Sequence, residues 1–284
     1  MVGPFRFYIG MDPSTFFSKK INMPYKDWIP QLTELCRSTM QAVMEIYQSS
    51  DAIDYRQKSD GSPLSDADLL ANDMLCRGLE KFSPDIPIIS EELDNPPYEE
   101  RKKMKRLWMI DPIDGTYGFV KKNGDFTINI ALIEDQMPVL GVIGRPTTGE
   151  VFYATSGNGA FVEDAESRRA LSALVFAKKD ARLKFVCSPA QDFSGLQNYF
   201  NKFDQPQMIY RGGTVKFLMV ASGEAHLYPS NRRINEWDTA AGQILVEEAG
   251  GLVLRADNDQ PLKYNKPDLK NPPFIVYGDI QDFG

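Results

Sequence analysis

Apolar residues recur at helical spacing in two stretches of the first third of the chain. The first stretch runs from Trp28 to Ser49, and the second runs from Ser65 to Phe82, just before Pro84. Each pattern places its apolar residues on one side, which predicts two amphipathic helices. Ser65 is the predicted N-cap of the second helix, because a serine followed three residues later by an acidic side chain is typical of a helix start.

Short apolar runs typical of strands follow the helices, and acidic residues come directly after two of them. Glu91 follows the run at residues 86–89, and Asp111 follows the run at residues 107–110. Between residues 125 and 155, three further runs are separated by turn-forming residues, which predicts an antiparallel meander. The first two runs are expected to be strands whose ends carry carboxylates.

The second half of the chain alternates between the two kinds of pattern. Strands are predicted at residues 183–186 and 208–210, and helices are predicted at residues 193–203, 215–222 and 238–248. Because this interspersed order lacks a strict βαβ repeat, a layered α+β sandwich in two packed halves fits best.

Three regions of the chain are expected to differ in organisation. Residues 1–22 show no stable periodicity, so they are predicted to form a loosely held extension, with Met11 and Met23 as alternative starts of the natural chain. Residues 23–160 are expected to form an N-terminal α+β half. Residues 161–284 are expected to form a C-terminal α/β half.

The charge balance narrows the class of partner. The 284 residues include 39 acidic and 32 basic side chains, and the formal net charge is −7. A protein that binds nucleic acid polymers needs a basic surface, so that class is disfavoured. No run approaches the roughly 18 apolar residues of a membrane span, and no secretory signal pattern opens the chain, which predicts a cytoplasmic protein.

Cysteine and histidine usage limits the metal and nucleophile chemistry. Cys36, Cys76 and Cys187 lie far apart without a CxxC pair, so neither a disulfide framework nor a thiolate zinc site is indicated. His226 is the single histidine, and most zinc, copper and iron sites use imidazole. A metal site in this chain is therefore expected to use oxygen ligands, which favours Mg²⁺, Mn²⁺ or Ca²⁺.

Four carboxylates occupy positions from which they can converge. Glu91, Asp111 and Asp114 follow predicted strands, and Asp238 opens a predicted helix. Taken one at a time, these residues have local explanations, because Asp-Pro and Asp-Gly pairs form turns and a helix-opening aspartate forms a cap. A cluster of four would be unfavourable without cations. Their joint occurrence therefore favours a metal site.

Three sequence blocks together resemble the inositol monophosphatase superfamily of metal-dependent phosphatases. The blocks are Glu91-Glu92, WMIDPIDGT at residues 108–116, and WDTAAG at residues 237–242 followed by EEAGG at residues 247–251. Their order and approximate spacing are those of the superfamily, and the resemblance extends from about residue 24 to the C-terminus. It implies an αβαβα sandwich in which the N-terminal half carries most metal ligands and the C-terminal half closes the active site.

The resemblance implies a set of metal ligands. Glu91, Asp111 and the carbonyl of Ile113 would bind one Mg²⁺, while Asp111, Asp114 and Asp238 would bind a second. A third, weaker ion near Glu91 is usual in the superfamily, and Mn²⁺ is a substitute. The ions would activate water and neutralise the phosphoryl oxygens. Sensitivity to Li⁺ is a further property that the resemblance implies.

The resemblance also implies catalytic residues beside the metal. Thr116 and Asp68 would form a hydroxyl–carboxylate pair that orients the attacking water, with Glu91 as the third member of the catalytic set. The backbone N–H groups of Gly115 and Thr116 would meet the phosphate. No covalent enzyme intermediate is required.

Several shorter stretches resemble the bacterial 3′(2′),5′-bisphosphate nucleotidases of the CysQ type, which hydrolyse 3′-phosphoadenosine 5′-phosphate. They lie at residues 58–65, 82–87, 123–132, 213–217 and 227–229. A predicted helix begins near residue 215, and the N-terminus of a helix favours an anion. The candidates for binding a non-reacting 5′-phosphate are Gly212, Gly213, Thr214, Lys216, Arg232 and Arg233.

Ser65 stands where the family commonly has threonine, and Tyr117-Gly118 replaces a polar pair, so contacts to the substrate near Tyr117 are not specified by the resemblance.

Two other functions stay open. An inositol or sugar phosphatase would use the same metal ligands. A non-catalytic sensor of phosphorylated metabolites would also keep the pocket, although the complete set of acidic residues argues for catalysis.

Overall fold

Two β-sheets of unequal size organise the computed structural model, which describes residues 24–49, 53–58, 63–189 and 196–282. The predicted extension at residues 1–22 lies outside the described residues. A 3₁₀ turn at Pro24–Trp28 precedes the first α-helix. The α-helices of the described residues are α1 (Ile29–Ser49), α2 (Asp66–Phe82), α3 (Tyr98–Arg101), α4 (Thr116–Val120), α5 (Gln197–Phe200), α6 (Val215–Ala221) and α7 (Ala240–Glu248).

The strands alternate with these helices along the chain. They are β1 (Tyr55–Gln57), β2 (Pro63–Ser65), β3 (Ile88–Ser90), β4 (Arg106–Asp114), β5 (Thr127–Glu134), β6 (Met137–Arg145), β7 (Glu150–Thr155), β8 (Ala160–Glu163), β9 (Arg168–Ala170), β10 (Val175–Phe176), β11 (Lys184–Cys187), β12 (Gln207–Tyr210), β13 (Leu227–Ser230), β14 (Ile234–Asn235), β15 (Leu252–Arg255), β16 (Lys270–Asn271), β17 (Phe274–Tyr277) and β18 (Asp279–Ile280).

The larger sheet contains seven strands in the order β3-β4-β5-β6-β7-β8-β9. Its strands are antiparallel except for β3 and β4, which run parallel with Ile88 opposite Trp108. The smaller sheet contains five strands in the order β12-β11-β13-β17-β15. The predicted antiparallel meander corresponds to β5, β6 and β7 and is confirmed.

Helices and sheets stack as five layers, which confirms the expected αβαβα sandwich. Leu32 of α1 and Leu75 of α2 share an apolar core with Trp108 on one face of the larger sheet. Helices α6 and α7 fill the space between the two sheets, because Ile244 belongs to a core that includes residues from both. Phe200 of α5 packs on the outer face of the smaller sheet. The predicted division of the chain near residue 160 stays a prediction.

The first two helices begin and end where the sequence indicates. Ser65 is the N-cap of α2, and its backbone N–H donates to Asp68 Oδ2 over 2.8 Å. The helix ends at Phe82. The N–H of the next residue, Ser83, still bonds to the Leu79 carbonyl, and Pro84 follows. In the described part of the chain, none of the helices has both the length and the apolar character needed to cross a membrane.

Two sequence predictions of element ends were wrong. Strand β4 does not stop before Asp111 but continues to Asp114, with a break in register between them. Pro112 lacks the N–H that a regular ladder needs, which accounts for the break. The helix predicted at residues 193–203 is, among the described residues, only the four-residue α5, because Lys202 and Phe203 make i,i−3 bonds typical of a tightening turn.

Glu247 is a buried carboxyl group on α7, away from the acidic residues predicted to bind metal. Its Oε1 accepts a hydrogen bond of 2.8 Å from Gln243 Nε2, and burial raises its pKa to about 8. In the folded protein the group therefore stays protonated at pH values where it is ionised in the unfolded chain. Its contribution to stability is complete below the unfolded pKa and is lost as the pH rises through the folded pKa.

Glu247→Gln is expected to remove this pH dependence while keeping the hydrogen bond from Gln243. The difference in unfolding free energy between variant and parent should change by up to about 1.4 kcal/mol per pH unit between about pH 5 and pH 8, in favour of the variant at the higher pH. Urea unfolding of both proteins across that range measures it. A difference that is constant with pH would contradict the raised pKa.

Candidate active site

Acidic residues from three separate segments meet at one edge of the larger sheet. Glu91 follows β3, Asp111 lies in β4, and Asp238 precedes α7. Because β3 and β4 are parallel neighbours, their C-terminal ends lie at the same edge, and the Glu91 N–H bonds to the Ile110 carbonyl over 3.3 Å. One carboxylate oxygen from each of Glu91, Asp111 and Asp238 lies within 4.8 Å of the other two. We call these three residues the acidic cage.

The cage is electrostatically unfavourable without a cation. Asp111 is buried, and its Oδ1 accepts the Ile113 N–H over 3.1 Å, whereas its Oδ2 is buried without a hydrogen-bond partner among the described residues. Burial, followed by repulsion from Glu91, raises the pKa of Asp111 well above its usual value. Burial and the charge of Asp114 do the same to the pKa of Asp238. A hard divalent cation such as Mg²⁺ prefers oxygen ligands, and it would give the buried Asp111 Oδ2 a partner.

Asp114 lies next to the acidic cage rather than within it. Its Oδ2 accepts hydrogen bonds from both the backbone N–H and the hydroxyl of Thr214. The carbonyl of Ile113, the other predicted ligand of this segment, lies 3.0 Å from Thr116 Oγ1. The roles of Asp114 and Ile113 as metal ligands therefore stay predictions, although both residues line the same pocket as the cage.

The predicted hydroxyl–carboxylate pair is brought together. Thr116 Oγ1 lies 3.2 Å from Asp68 Oδ1, and the other oxygen of Asp68 accepts from the backbone N–H and, over 2.6 Å, from the hydroxyl of Ser65. Asp68 is buried, and burial raises its pKa although the bonds from Ser65 lower it. Serine thus fixes Asp68 where the family commonly has threonine. Gly115 is required before Thr116, because its φ is +88° and a Cβ would lie 2.6 Å from the Asp125 carbonyl oxygen.

Lys58 is a residue of the site that sequence reasoning missed. Its Nζ forms ion pairs of 2.6 Å with Glu91 and 2.5 Å with Glu92. Burial lowers the pKa of Lys58, but the two glutamates outweigh that effect and raise it. In the absence of metal, Lys58 therefore supplies a positive charge at the edge of the cage. It opens the stretch at residues 58–65 that carries part of the resemblance, but nothing local links it to Glu91.

Two neighbouring pockets form a cleft that contains the cage, and we call them its lobes. The cage lobe has a volume of about 220 Å³ and is lined by Pro63, Glu91, Asp111, Ile113, Asp114, Gly115, Thr116, Tyr117, Asn235 and Asp238. The second lobe, which we call the basic lobe, has a volume of about 300 Å³ and shares Asp114, Asn235 and Asp238 with the first. The two lobes therefore lie side by side.

Cationic side chains surround the basic lobe. Lys216 is buried there, with its Nζ donating to the Gly213 carbonyl and lying 5.1 Å from the Tyr228 ring centroid. Burial lowers the pKa of Lys216, against the opposing effect of Asp114. Arg232 and Arg233, the two arginines predicted to bind a phosphate, also line the lobe, and Arg233 forms an ion pair with Asp268.

Lys270 is a fourth cation of the basic lobe that sequence reasoning did not identify. It lies in β16, where its partner across the strand pair is Asn235 of β14, a residue common to both lobes. The connection between the pocket and this short strand could not be read from the sequence, because neither two-residue strand has a recognisable pattern. The lobe therefore has one cation more than the three that the sequence identified.

Two residues of the predicted phosphate site at the start of α6 already have carboxylate partners. The Gly212 N–H donates to Asp125 Oδ2 over 3.0 Å, and the Thr214 N–H donates to Asp114. Both groups are occupied by carboxylates from distant segments, and neither residue lines the basic lobe, whereas Gly213 does. Phosphate binding by Gly212 and Thr214 therefore stays a prediction. The single histidine, His226, lines neither lobe, and its Nδ1 accepts the Lys184 N–H over 2.9 Å.

Mg²⁺ is expected to stabilise the protein more strongly at higher pH. The folded pKa values of Asp111 and Asp238 are raised, so the stability of the metal-free protein is greatest below the unfolded pKa values and falls as the pH rises through the folded ones. A bound cation offsets this repulsion and binds the ionised form. The increase in melting temperature on adding Mg²⁺ should therefore be larger at about pH 8 than at about pH 6. An equal or smaller increase at the higher pH would contradict the assignment.

Known proteins of one family resemble this chain in sequence and in fold. Residues 25–276 match the model of the family described as the inositol monophosphatase family. The 3′(2′),5′-bisphosphate nucleotidase CysQ of Salmonella typhimurium is 38% identical over 226 residues, which are 79% of this chain and 89% of that protein. The crystal structure of CysQ from Bacteroides thetaiotaomicron has a TM-score of 0.78 at 30% identity and covers 91% of this chain and 99% of its own. The Thermotoga maritima IMPase has a TM-score of 0.72 at 25% identity, with 89% and 92% covered.

Proposed function

Because this chain belongs to the inositol monophosphatase family, we propose that it is a Mg²⁺-dependent phosphomonoesterase that hydrolyses 3′-phosphoadenosine 5′-phosphate to AMP and phosphate. The observation that carries the proposal is the cleft, in which an acidic cage suited to divalent metal adjoins a lobe lined by cations. Such a cleft suits a substrate with two phosphates. We also propose a cytoplasmic location, as the sequence predicts.

Metal binding is assigned to the acidic residues of the cage lobe. Glu91 and Asp111, with the carbonyl of Ile113, would hold one ion, and Asp111, Asp114 and Asp238 would hold a second, with a third near Glu91. Bound Mg²⁺, or Mn²⁺ in its place, supplies positive charge that neutralises the phosphoryl oxygens and makes water a better nucleophile. The oxygen-only donor set and the unpartnered Asp111 Oδ2 support this assignment.

Thr116 and Asp68 direct the attacking water. When the Thr116 hydroxyl donates a hydrogen bond to Asp68 Oδ1, 3.2 Å away, a lone pair of its oxygen can accept a hydrogen bond from water in the cage lobe. Ser65 holds the other oxygen of Asp68, so the carboxylate keeps its orientation throughout. Glu91 lines the same lobe and completes the catalytic set. The N–H groups of Gly115 and Thr116 are expected to bind the phosphate that is transferred to water.

The basic lobe binds the phosphate that does not react. Lys216 is the buried cation of this lobe, and Arg232 and Lys270 provide further positive charge at its surface. Hydrogen bonds between a buried ammonium and a phosphate are charge-assisted and therefore strong. The nucleoside between the two phosphates would span the residues that the lobes share.

A substrate panel tests the proposal. Phosphate release is measured with 3′-phosphoadenosine 5′-phosphate, with 3′-AMP and with inositol 1-phosphate, each with Mg²⁺ and after chelation. The expected result is Mg²⁺-dependent release that is fastest with the bisphosphate; 3′-AMP is the matched control because it lacks only the second phosphate. Faster release from inositol 1-phosphate would identify an inositol phosphatase instead. Binding of the bisphosphate without any turnover would identify a sensor.

A further inference from the structure

A buried network of polar side chains connects the segment after Glu91 with the segment before Asp238. Its central members are Arg101 and Glu236, which are 3% and 0% exposed respectively. Neither residue lines the cleft. Both contact the segment at residues 265–267, which lies between them.

Arg101 provides the link on the Glu91 side. Its Nε donates to the Pro96 carbonyl over 2.8 Å, its Nη1 donates to Asn265 Oδ1 over 2.7 Å, and its Nη2 donates to the Pro267 carbonyl over 3.1 Å. Asn95, the neighbour of Pro96, exchanges two hydrogen bonds with the backbone of Ser90, the residue before Glu91. The loop that carries Glu91 is thus tied to Arg101.

Glu236 provides the link on the Asp238 side. Its carboxylate accepts the Asn265 N–H over 2.5 Å and the Lys266 N–H over 3.1 Å, and it also forms an ion pair with the Lys266 ammonium. Thr239 donates to the Glu236 carbonyl over 3.0 Å and accepts from Asn271 over 2.7 Å. Asp238 therefore lies between two anchored residues.

We propose that Arg101 and Glu236 are positioning residues, which hold Glu91 and Asp238 at the separation that a divalent cation requires. The inference rests on the proposed metal site. The two ligands come from segments that share no strand pairing, and their mutual repulsion would drive them apart in the metal-free protein. The three nitrogens of the planar Arg101 guanidinium all donate, and the Glu236 carboxylate accepts from three N–H groups, so that the separation is fixed before metal binds. Preorganised ligands bind metal more tightly, because less ordering is needed on binding.

Direct measurement of Mn²⁺ affinity, by electron paramagnetic resonance of the free ion, tests the proposal without any substrate. Arg101→Lys keeps the positive charge but loses the planar guanidinium with its several N–H donors. Glu236→Gln keeps the shape of the side chain but loses its negative charge. Each is expected to weaken Mn²⁺ binding about 10- to 100-fold. Raising the Mg²⁺ concentration should restore kcat in both variants, which a general loss of structure would not allow. Arg37→Lys is the control, because Arg37 pairs with Glu163 over 2.9 Å and neither residue lines the cleft.

Asn95→Ala keeps the test decisive if a buried variant fails to fold. Asn95 is only partly buried, so its loss should leave the fold intact while releasing the Glu91 loop. We expect Mn²⁺ affinity to fall about threefold or more in this variant. Folded variants with lower melting temperatures but the parent's Mn²⁺ affinity would overturn the proposal. Tight Mn²⁺ binding by the parent without hydrolysis of the bisphosphate would overturn the proposed function and leave this inference standing.

Discussion

Asp111→Asn is expected to abolish phosphate release and, at the same time, to raise the melting temperature of the metal-free protein. The loss of activity follows from removing the most central charge of the acidic cage, and we expect kcat/KM to fall by about 1000-fold or more. The gain in stability follows from the same charge, because Asp111 is buried, its Oδ2 has no partner among the described residues, and Glu91 and Asp238 repel it. An asparagine amide placed there would donate to a neighbouring carboxylate. An increase of roughly 3 to 6 °C is expected.

Glu248→Gln is a suitable control for this experiment. Glu248 is also a carboxylate with ordered partners, since its two oxygens accept the N–H groups of Gly157 and Gly159 over 2.7 and 2.8 Å. It lies outside the cleft, so its substitution should lower the melting temperature and leave kcat unchanged. A higher melting temperature for Asp111→Asn together with a lower one for Glu248→Gln would distinguish charge repulsion in the cage from the loss of hydrogen bonds. A lower melting temperature for metal-free Asp111→Asn would contradict our account of the cage.

Lys216→Met is expected to remove the preference for a second phosphate. Methionine preserves the apolar part of the buried side chain but cannot bind an anion. We expect kcat/KM for 3′-phosphoadenosine 5′-phosphate to fall by about 100-fold or more, mainly through KM, because a buried charge-assisted contact is lost. The value for 3′-AMP, which has no 5′-phosphate, should change by less than about threefold. Steady-state kinetics with both substrates measure the two effects.

Arg233→Met provides the comparison within the same lobe. Arg233 lines the basic lobe but is exposed and already paired with Asp268, so its removal should affect both substrates only weakly. Equal losses with the two substrates in Lys216→Met would mean that Lys216 acts on the cage and not on the second phosphate. That result would leave the basic lobe without its main proposed role.

Much of the metal site could be predicted because its residues sit at the ends of recognisable elements. Glu91 and Asp111 follow apolar runs, and the parallel pairing of β3 with β4 then places them at one edge. Asp68 was identifiable from the helix start at Ser65 and from the resemblance. Local pattern and family motif agree at these positions, and the structure brings the residues together.

The residues that sequence reasoning missed are those whose partners lie far away along the chain. Lys58 pairs with Glu91 across 33 positions, and Arg101 bonds to Asn265 across 164 positions. The hydrogen bond at Gly212 is of the same kind, because Asp125, which accepts its N–H, is 87 positions away. No periodicity reports such contacts, since they are fixed only when the two sheets pack together.

The layer formed by α6 and α7 between the two sheets affects how the protein unfolds. All seven residues of α6 and the stretch from Ala240 to Val246 of α7 are buried, and the approach of the two helices is so close that a Cβ on Gly242 would lie 2.5 Å from the Phe217 ring. Separation of either sheet from α6 and α7 would expose the buried side chains of these helices to water. The two sheets are therefore expected to melt in one cooperative step, and a chain severed between them should regain activity only when both fragments are present together.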